Sequence, residues 1–138
     1  LRNGKRPDGQ TLLPWRRGKP LIWDFTCCHR LAASYRDIAS QEGPAVAEAA
    51  ERRKLKTYDE LQHQFVVQPV AIETCGAVGA DSMSFLRELG NRIADISGEK
   101  RSTAFLRQRI GISVQMGNAA CILETIENAS RYQSLPPL

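Results

Sequence analysis

The apolar and polar positions divide the chain into short segments with distinct periods. Thr11-Leu12-Leu13 is a candidate short strand, Arg16-Arg17-Gly18-Lys19 a turn with a basic tip, and residues 21–28 an apolar, β-favouring run of strand length. Together they predict a hairpin. Residues 29–43 are ambiguous and accommodate a short helix near Leu31 to Tyr35, then a loop ending at Gly43. Pro44 suits a first helical position, and the Ala-, Glu-, Arg- and Lys-rich stretch after it predicts a helix to about Leu61. Val46, Ala50, Tyr58 and Leu61 form its apolar stripe. Residues 65–74 are a second apolar run that reads as a strand, broken or entered at Pro69, with Gly76 and Gly79 closing it. Leu86, Leu89, Ile93 and Ile96 recur at helical spacing, with Asp81 or Ser82 as N-cap and Gly98 as the stop. A last helix starts near Ser102, carries Leu106, Ile110 and Val114, and reaches about Asn128. The pattern predicts a single α/β or α+β domain over residues 1–130, with a flexible tail at 131–138.

Composition narrows the class without naming a function. The chain has 138 residues, 42% hydrophobic and 25% charged, which is ordinary for one folded domain and argues against wholesale disorder. No apolar run approaches the roughly 20 residues needed to span a bilayer. The start, Leu1 to Arg6, is basic but has no apolar stretch behind it and no methionine, so we expect a piece of a longer polypeptide rather than a secretory signal. A net charge of +4 permits a nucleic-acid partner without demanding one. Cys27, Cys28, Cys75 and Cys121 form no CxxC pair, so reduced thiols in an intracellular protein are expected, and the paired spacing of a zinc site is missing.

Three residues stand out chemically. Asp24 lies in the middle of an apolar strand, on the face it shares with Ile22, Thr26 and Cys28. A buried carboxylate must find a cation, donors or water, so Asp24 is either a residue on a solvated sheet face or a metal ligand or catalytic acid. Asp8, in Arg6-Pro7-Asp8-Gly9, is by itself a turn residue. Lys54 falls on the apolar stripe of its helix whereas Lys56 falls on the far side. A lysine there either meets a carboxylate or snorkels past its neighbours. Two acids and a lysine facing a sheet can hold a hard divalent cation, activate water and neutralise a phosphodiester.

With these residues placed, the chain resembles the restriction-enzyme-like PD-(D/E)XK nucleases. It is most similar to the endonuclease domain at the C-terminal end of site-specific non-LTR retrotransposon polyproteins. The resemblance rests on Arg6-Pro7-Asp8, on Trp23-Asp24-Phe25-Thr26, and on a helix with Lys54 and Tyr58 in a Lys-x-x-x-Tyr pattern. The apolar strand at 69–76 and the segment Phe85-Leu86-Arg87-Glu88-Leu89-Gly90 extend it over most of the chain. It implies a small mixed sheet flanked by helices, with a catalytic core at 1–76 and C-terminal helices at 80–130. It further implies Mg²⁺ or Mn²⁺ held by Asp8 and Asp24, Lys54 as catalytic lysine, and Tyr58 as an accessory residue that orients Lys54 or contacts phosphate. Arg6, Arg16, Arg17 and Lys19 would meet double-stranded DNA. The implied partner is an upstream reverse transcriptase of the same polyprotein, and the implied location is the nucleus.

Two departures set geometric conditions. The gap between Asp8 and Asp24 holds 15 residues, somewhat longer than is usual in the family. A hairpin centred on Arg17-Gly18 sets Asp24 opposite Thr11, leaving Asp8 about three residues, or ~10 Å, away unless a bend or bulge draws it back. The lysine of the general motif falls at Thr26, so its role must pass to Lys54. Glu73 is a possible extra carboxylate, with a solvated strand end as its simpler reading. A catalytically decayed module docking DNA through Arg16, Arg17, Lys19, Arg52 and Lys56, and an unrelated interaction domain, are the alternatives. Trp15 is expected in the core rather than on DNA.

Overall fold

The computed structural model describes residues 6–35, 37–38 and 43–133, with side chains to residue 126. The basic start before Arg6, most of the loop before Gly43 and the last five residues of the expected tail lie outside the described residues. The elements run β1 (Gly9–Arg16), β2 (Lys19–Cys28), a 3₁₀ turn (Ala33–Tyr35), α1 (Ala45–Thr57), a second 3₁₀ turn (Asp59–Leu61), β3 (Val66–Glu73), α2 (Ala80–Ser97) and α3 (Ser102–Gln133). The sheet is mixed and three-stranded, in the order β1-β2-β3. β1 and β2 form the expected antiparallel hairpin, and β3 returns parallel to β2 after α1. No described helix is long and apolar enough to cross a membrane.

Alternation along β2 sends its residues into two layers. Cys28 and Ala71 pack against Val46, Ala47 and Ala50 of α1. Leu21 and Val70, on the other face, pack against Phe85 and Leu86 of α2, with Leu106 and Ile110 of α3 behind them. Trp15 joins this second cluster, its ring 5.9 Å from Phe85, as expected of a core residue. Gly98 closes α2 in the left-handed region, as the sequence predicts.

Several boundaries differ from the sequence reading. Pro44 precedes α1 instead of opening it, and the helix stops at Thr57, so Leu61 sits half-buried in the 3₁₀ turn beyond. Pro69 does not interrupt β3. It lies on the outer edge strand in phase with Ala71 and Glu73, whose N–H groups point away from β2 to Ser82 Oγ and the Ala77 carbonyl, both at 2.7 Å. A missing N–H on that side leaves the ladder intact. Residues 131–133 of the expected tail are the last residues of α3.

Two buried glutamates replace the anticipated caps. Neither Asp81 nor Ser82 caps α2; Gly79 is its N-cap, without a side chain to offer. Glu51 of α1 instead accepts from the Ser82 N–H at 2.8 Å and from the Ser82 hydroxyl. Glu73 is not a solvated strand end: it is fully buried, accepts from the Ala47 N–H in the first turn of α1, and pairs with Arg30 at 3.3 Å. Each carboxylate therefore sits at the positive end of a helix, where free N–H groups favour an anion.

Gly79 makes room for this arrangement, since a Cβ there would lie 2.1 Å from Glu51 Oε1. We expect Gly79→Ala to lower the unfolding free energy by about 2–4 kcal/mol, because it displaces a buried carboxylate from its donors. Gly111→Ala is the control: nothing lies within 4 Å of its Cβ, so the change should be neutral or slightly stabilising. Urea denaturation of both variants checks this, and equal midpoints would contradict it.

Candidate functional site

The four residues singled out from the sequence line a single cleft. Asp8, Asp24, Lys54 and Tyr58 share it with Arg6, Phe25, Arg53 and Thr57, in an open volume of about 470 Å³. Three different elements bring them there.

β2 supplies Asp24, on the face that meets α1. Its residue is only 7% exposed, which excludes the solvated-face reading. Both carboxylate oxygens are engaged. Lys54 Nζ lies 2.9 Å from Oδ1, and the Tyr58 hydroxyl donates a short hydrogen bond to Oδ2. The four-residue spacing of Lys54 and Tyr58 is one helical turn, Tyr58 being the C-cap residue of α1, so two donors stacked at the end of the helix close on one carboxylate. Ala47 and Ala50, both fully buried, let the helix approach the sheet closely enough for this contact.

Asp8 comes from the residue just before β1, and the hairpin register decides whether it arrives. An unbroken ladder from the Arg16–Lys19 pair would set Trp23 against Leu12; Trp23 instead pairs with Gly9, three residues earlier. The register slips between Gln10 and Pro14 and again between Pro14 and Arg16. Those irregularities absorb the three-residue excess that the gap between the two acids creates. Thr11 stabilises the slip, its hydroxyl accepting from the Leu21 N–H at 2.9 Å and donating to the Leu13 carbonyl at 2.8 Å. Gly9 permits it sterically, since a Cβ there would fall 2.1 Å from the Trp23 indole. As a result Asp8 straddles the peptides around Asp24. Its N–H donates to the Trp23 carbonyl at 3.0 Å, and its Oδ2 accepts from the Phe25 N–H at 2.7 Å.

Tyr58 reports the local field. Its pKa is pushed up to about 12, first by burial, then by its hydrogen bond to Asp24, and further by the charges of Asp24 and Asp8. The phenol is therefore a proton donor throughout the neutral range, and both carboxylates act on the same hydroxyl.

The basic residues divide. Arg6 lines the cleft. Arg16, Arg17 and Lys19 lie at the hairpin tip, about five residues of strand or ~17 Å from Asp24. Arg16 pairs with Glu88 of α2 at 2.6 Å, and Lys19 donates to the Gln62 carbonyl at 3.0 Å, so both fasten the hairpin to the body. Arg92, stacked 3.7 Å over Trp15 and bonded to Glu88, completes that clamp. Arg52 and Lys56 are exposed and outside the cleft lining.

Sequence reasoning missed Arg53, Phe25 and Thr57. Arg53 and Thr57 form the row of α1 next to Lys54 and Tyr58, so the same one-turn spacing carried the signal. Arg53 donates to the Tyr35 hydroxyl and lies 5.3 Å over its ring, which holds the guanidinium at the cleft wall. Phe25 is half exposed beside the two acids.

The donor set suits a hard cation through oxygen. Magnesium is commonly held by one or two carboxylates, with water and substrate phosphate completing its shell. Asp8 keeps Oδ1 without a hydrogen bond among the described residues, and Asp24 lies beside it. No group of three or more His, Cys, Asp or Glu residues is placed for a metal among the described residues, and the four cysteines are free thiols. A cation held at Asp8 and Asp24 would therefore draw the rest of its shell from water and phosphate. No family model, curated protein or solved structure matches the chain.

The raised Tyr58 pKa has a signed consequence. An ordinary tyrosine titrates near pH 10. The folded state holds this proton when the unfolded chain has released it, so the stabilisation is complete below pH ~10 and is lost between about 10 and 12. Tyr58→Phe should remove the highest step of the tyrosinate absorbance titration. It should also flatten the fall in unfolding free energy over that interval by up to ~2 kcal/mol. An unchanged titration curve would contradict the assignment.

Proposed function

We propose that this chain is the metal-dependent endonuclease domain of a retroelement polyprotein, hydrolysing phosphodiester bonds to nick DNA. The reading joins the resemblance in the motifs to one structural observation: Asp8, Asp24, Lys54 and Tyr58 converge on a single open cleft. The mixed sheet, with its hairpin and the parallel return through α1, is compatible with a restriction-endonuclease-like core.

In this reading Asp8 and Asp24 hold Mg²⁺ or Mn²⁺. When bound, that ion lowers the pKa of a water and stabilises the added charge on the phosphodiester. The chain's own groups do the rest. Lys54 presents a cation at the cleft wall, where it orients the attacking water or neutralises a phosphate oxygen. Tyr58 stays protonated and pins the Asp24 carboxylate. Arg6 and Arg53 flank the acids, where they draw the phosphate backbone in and offset the local negative charge. The water gives up a proton to solvent as its oxygen bonds to phosphorus, the bond from phosphorus to the departing sugar oxygen breaks, and that oxygen takes up a proton from solvent. In this reading the free end would serve a linked reverse transcriptase as primer, and the reaction would take place in the nucleus.

One observation favours a second reading. Asp24 already has both oxygens engaged by Lys54 and Tyr58, an arrangement that is self-sufficient without a cation. A module that docks DNA and does not cut would retain it.

Relaxation of supercoiled plasmid to nicked circles separates the two. The endonuclease reading expects nicking with Mg²⁺ that EDTA abolishes. Asp8→Ala and Asp24→Ala should abolish it, and Lys54→Met should slow it by about 100-fold or more, with circular dichroism confirming that each variant is folded. DNA binding that weakens steeply with salt but never cuts would select the docking module. Neither binding nor cutting would remove both.

A further inference from the structure

The longest helix is apolar on two opposite sides, and the body of the protein uses only one of them. α3 runs from Ser102 to Gln133, and its inner face carries Leu106, Ile110 and Val114 into the core. Farther along, Asn118 donates to the Thr74 carbonyl at 2.7 Å, so this face stays on the body for about four turns. At roughly 100° per residue, Phe105, Ile112, Met116, Leu123 and Ile126 fall within an arc of about 100° on the opposite side. These five are between 45% and 68% exposed. A groove of about 420 Å³ runs along the same side between Phe105 and Met116. The stripe is about 32 Å long.

Its spacing alternates four and three residues through Ile112, Met116, Ala119, Leu123 and Ile126, the repeat with which one helix packs along another. At roughly 200 Å² per large side chain, the five expose on the order of 600 Å² per copy. Two such faces laid together would bury about 1,200 Å², the size at which specific interfaces become stable. A free patch of this extent on one chain lies at the top of the range for monomers.

Charge decides the orientation. Between Ser102 and Ile126, Arg109 is the one charged residue at the edge of the arc. A parallel pair would stack Arg109 on its own copy. An antiparallel pair with Met116 against the other Ala119 sets Leu123 against Ile112 and Arg109 against Ile126. Arg109 then lies on the same flank as Glu124 of the second copy, which stands about 100° round the helix from Leu123 and within reach of the long arginine side chain. We propose that α3 is the dimerisation element of this protein, pairing antiparallel with α3 of a second copy through this stripe, with an Arg109–Glu124 contact made twice by the twofold axis. The inference is independent of the nuclease reading.

Sedimentation equilibrium on the whole chain tests it. We expect a dimer that is half-formed at a concentration on the order of 1–50 μM. Leu123→Lys should weaken association by about 10–100-fold while leaving the helical circular dichroism unchanged, and the urea midpoint unchanged at concentrations where the protein is monomeric, because Leu123 of a single copy touches solvent. Arg109→Glu should weaken it by about 10-fold, and Arg109→Glu with Glu124→Arg should restore it. A monomer at every concentration tested would overturn the proposal and leave the stripe to another partner. So would a dimer indifferent to Leu123→Lys, and a double variant no tighter than Arg109→Glu alone would overturn the antiparallel register.

Discussion

A carboxylate buried in the middle of a strand stays charged only if the structure around it supplies partners, and Asp24 sets this demand on the whole domain. It is met by the lysine ammonium and the phenol one turn apart on α1, which satisfy both oxygens. Meeting it fixes how closely α1 lies to the sheet, and alanines at 47 and 50 make that approach possible. Burial of Asp24, retention of the proton on Tyr58 and the inward aim of Lys54 are one arrangement seen from three residues.

The same device, an anion placed by one element to hold another, recurs through the fold. Glu73 on β3 holds the first turn of α1, and Glu51 on α1 holds the first turn of α2. With Asp24, α1 is joined at three points along its length to β3, α2 and β2. A carboxylate at a helix N-terminus fixes axial position better than apolar contact does, because a hydrogen bond is directional whereas packing tolerates sliding. Since the cleft needs the Arg53 and Lys54 rows in register with Asp24, these remote glutamates help to set the geometry of the cleft without touching it.

Much of this was legible in the residue pattern. The hairpin, α2 with its glycine stop and α3 follow from period and punctuation, which are local properties. Asp24 and Lys54 were visible because each breaks its surroundings, an acid in an apolar strand and a lysine on a core-facing helix stripe, whereas Tyr58 belonged to that stripe and was singled out only by the resemblance. Glu51 was not legible, and Glu73 was visible only as a possible extra carboxylate, because an acid on a charged helix or at a strand end looks the same whether it faces water or a helix end. The hairpin register was only half legible. The excess of three residues could be counted, but not the places where the chain would store it. Apolar periodicity also says nothing about the identity of the covering surface. Ile96, in phase with Leu86 and Leu89, is almost wholly exposed, as is Leu12 in β1.

The slipped ladder of the hairpin carries a lesson for tracing kinship at great distance. Because β1 takes up surplus residues as local irregularities, the two acids can meet across intervening segments of different lengths. Their separation along the chain is then an elastic quantity, while the one-turn interval on α1 is rigid. A search template that fixes the first interval and relaxes the second has the physics inverted. Homologues of such a site are better sought by holding the lysine–tyrosine step constant and letting the hairpin stretch.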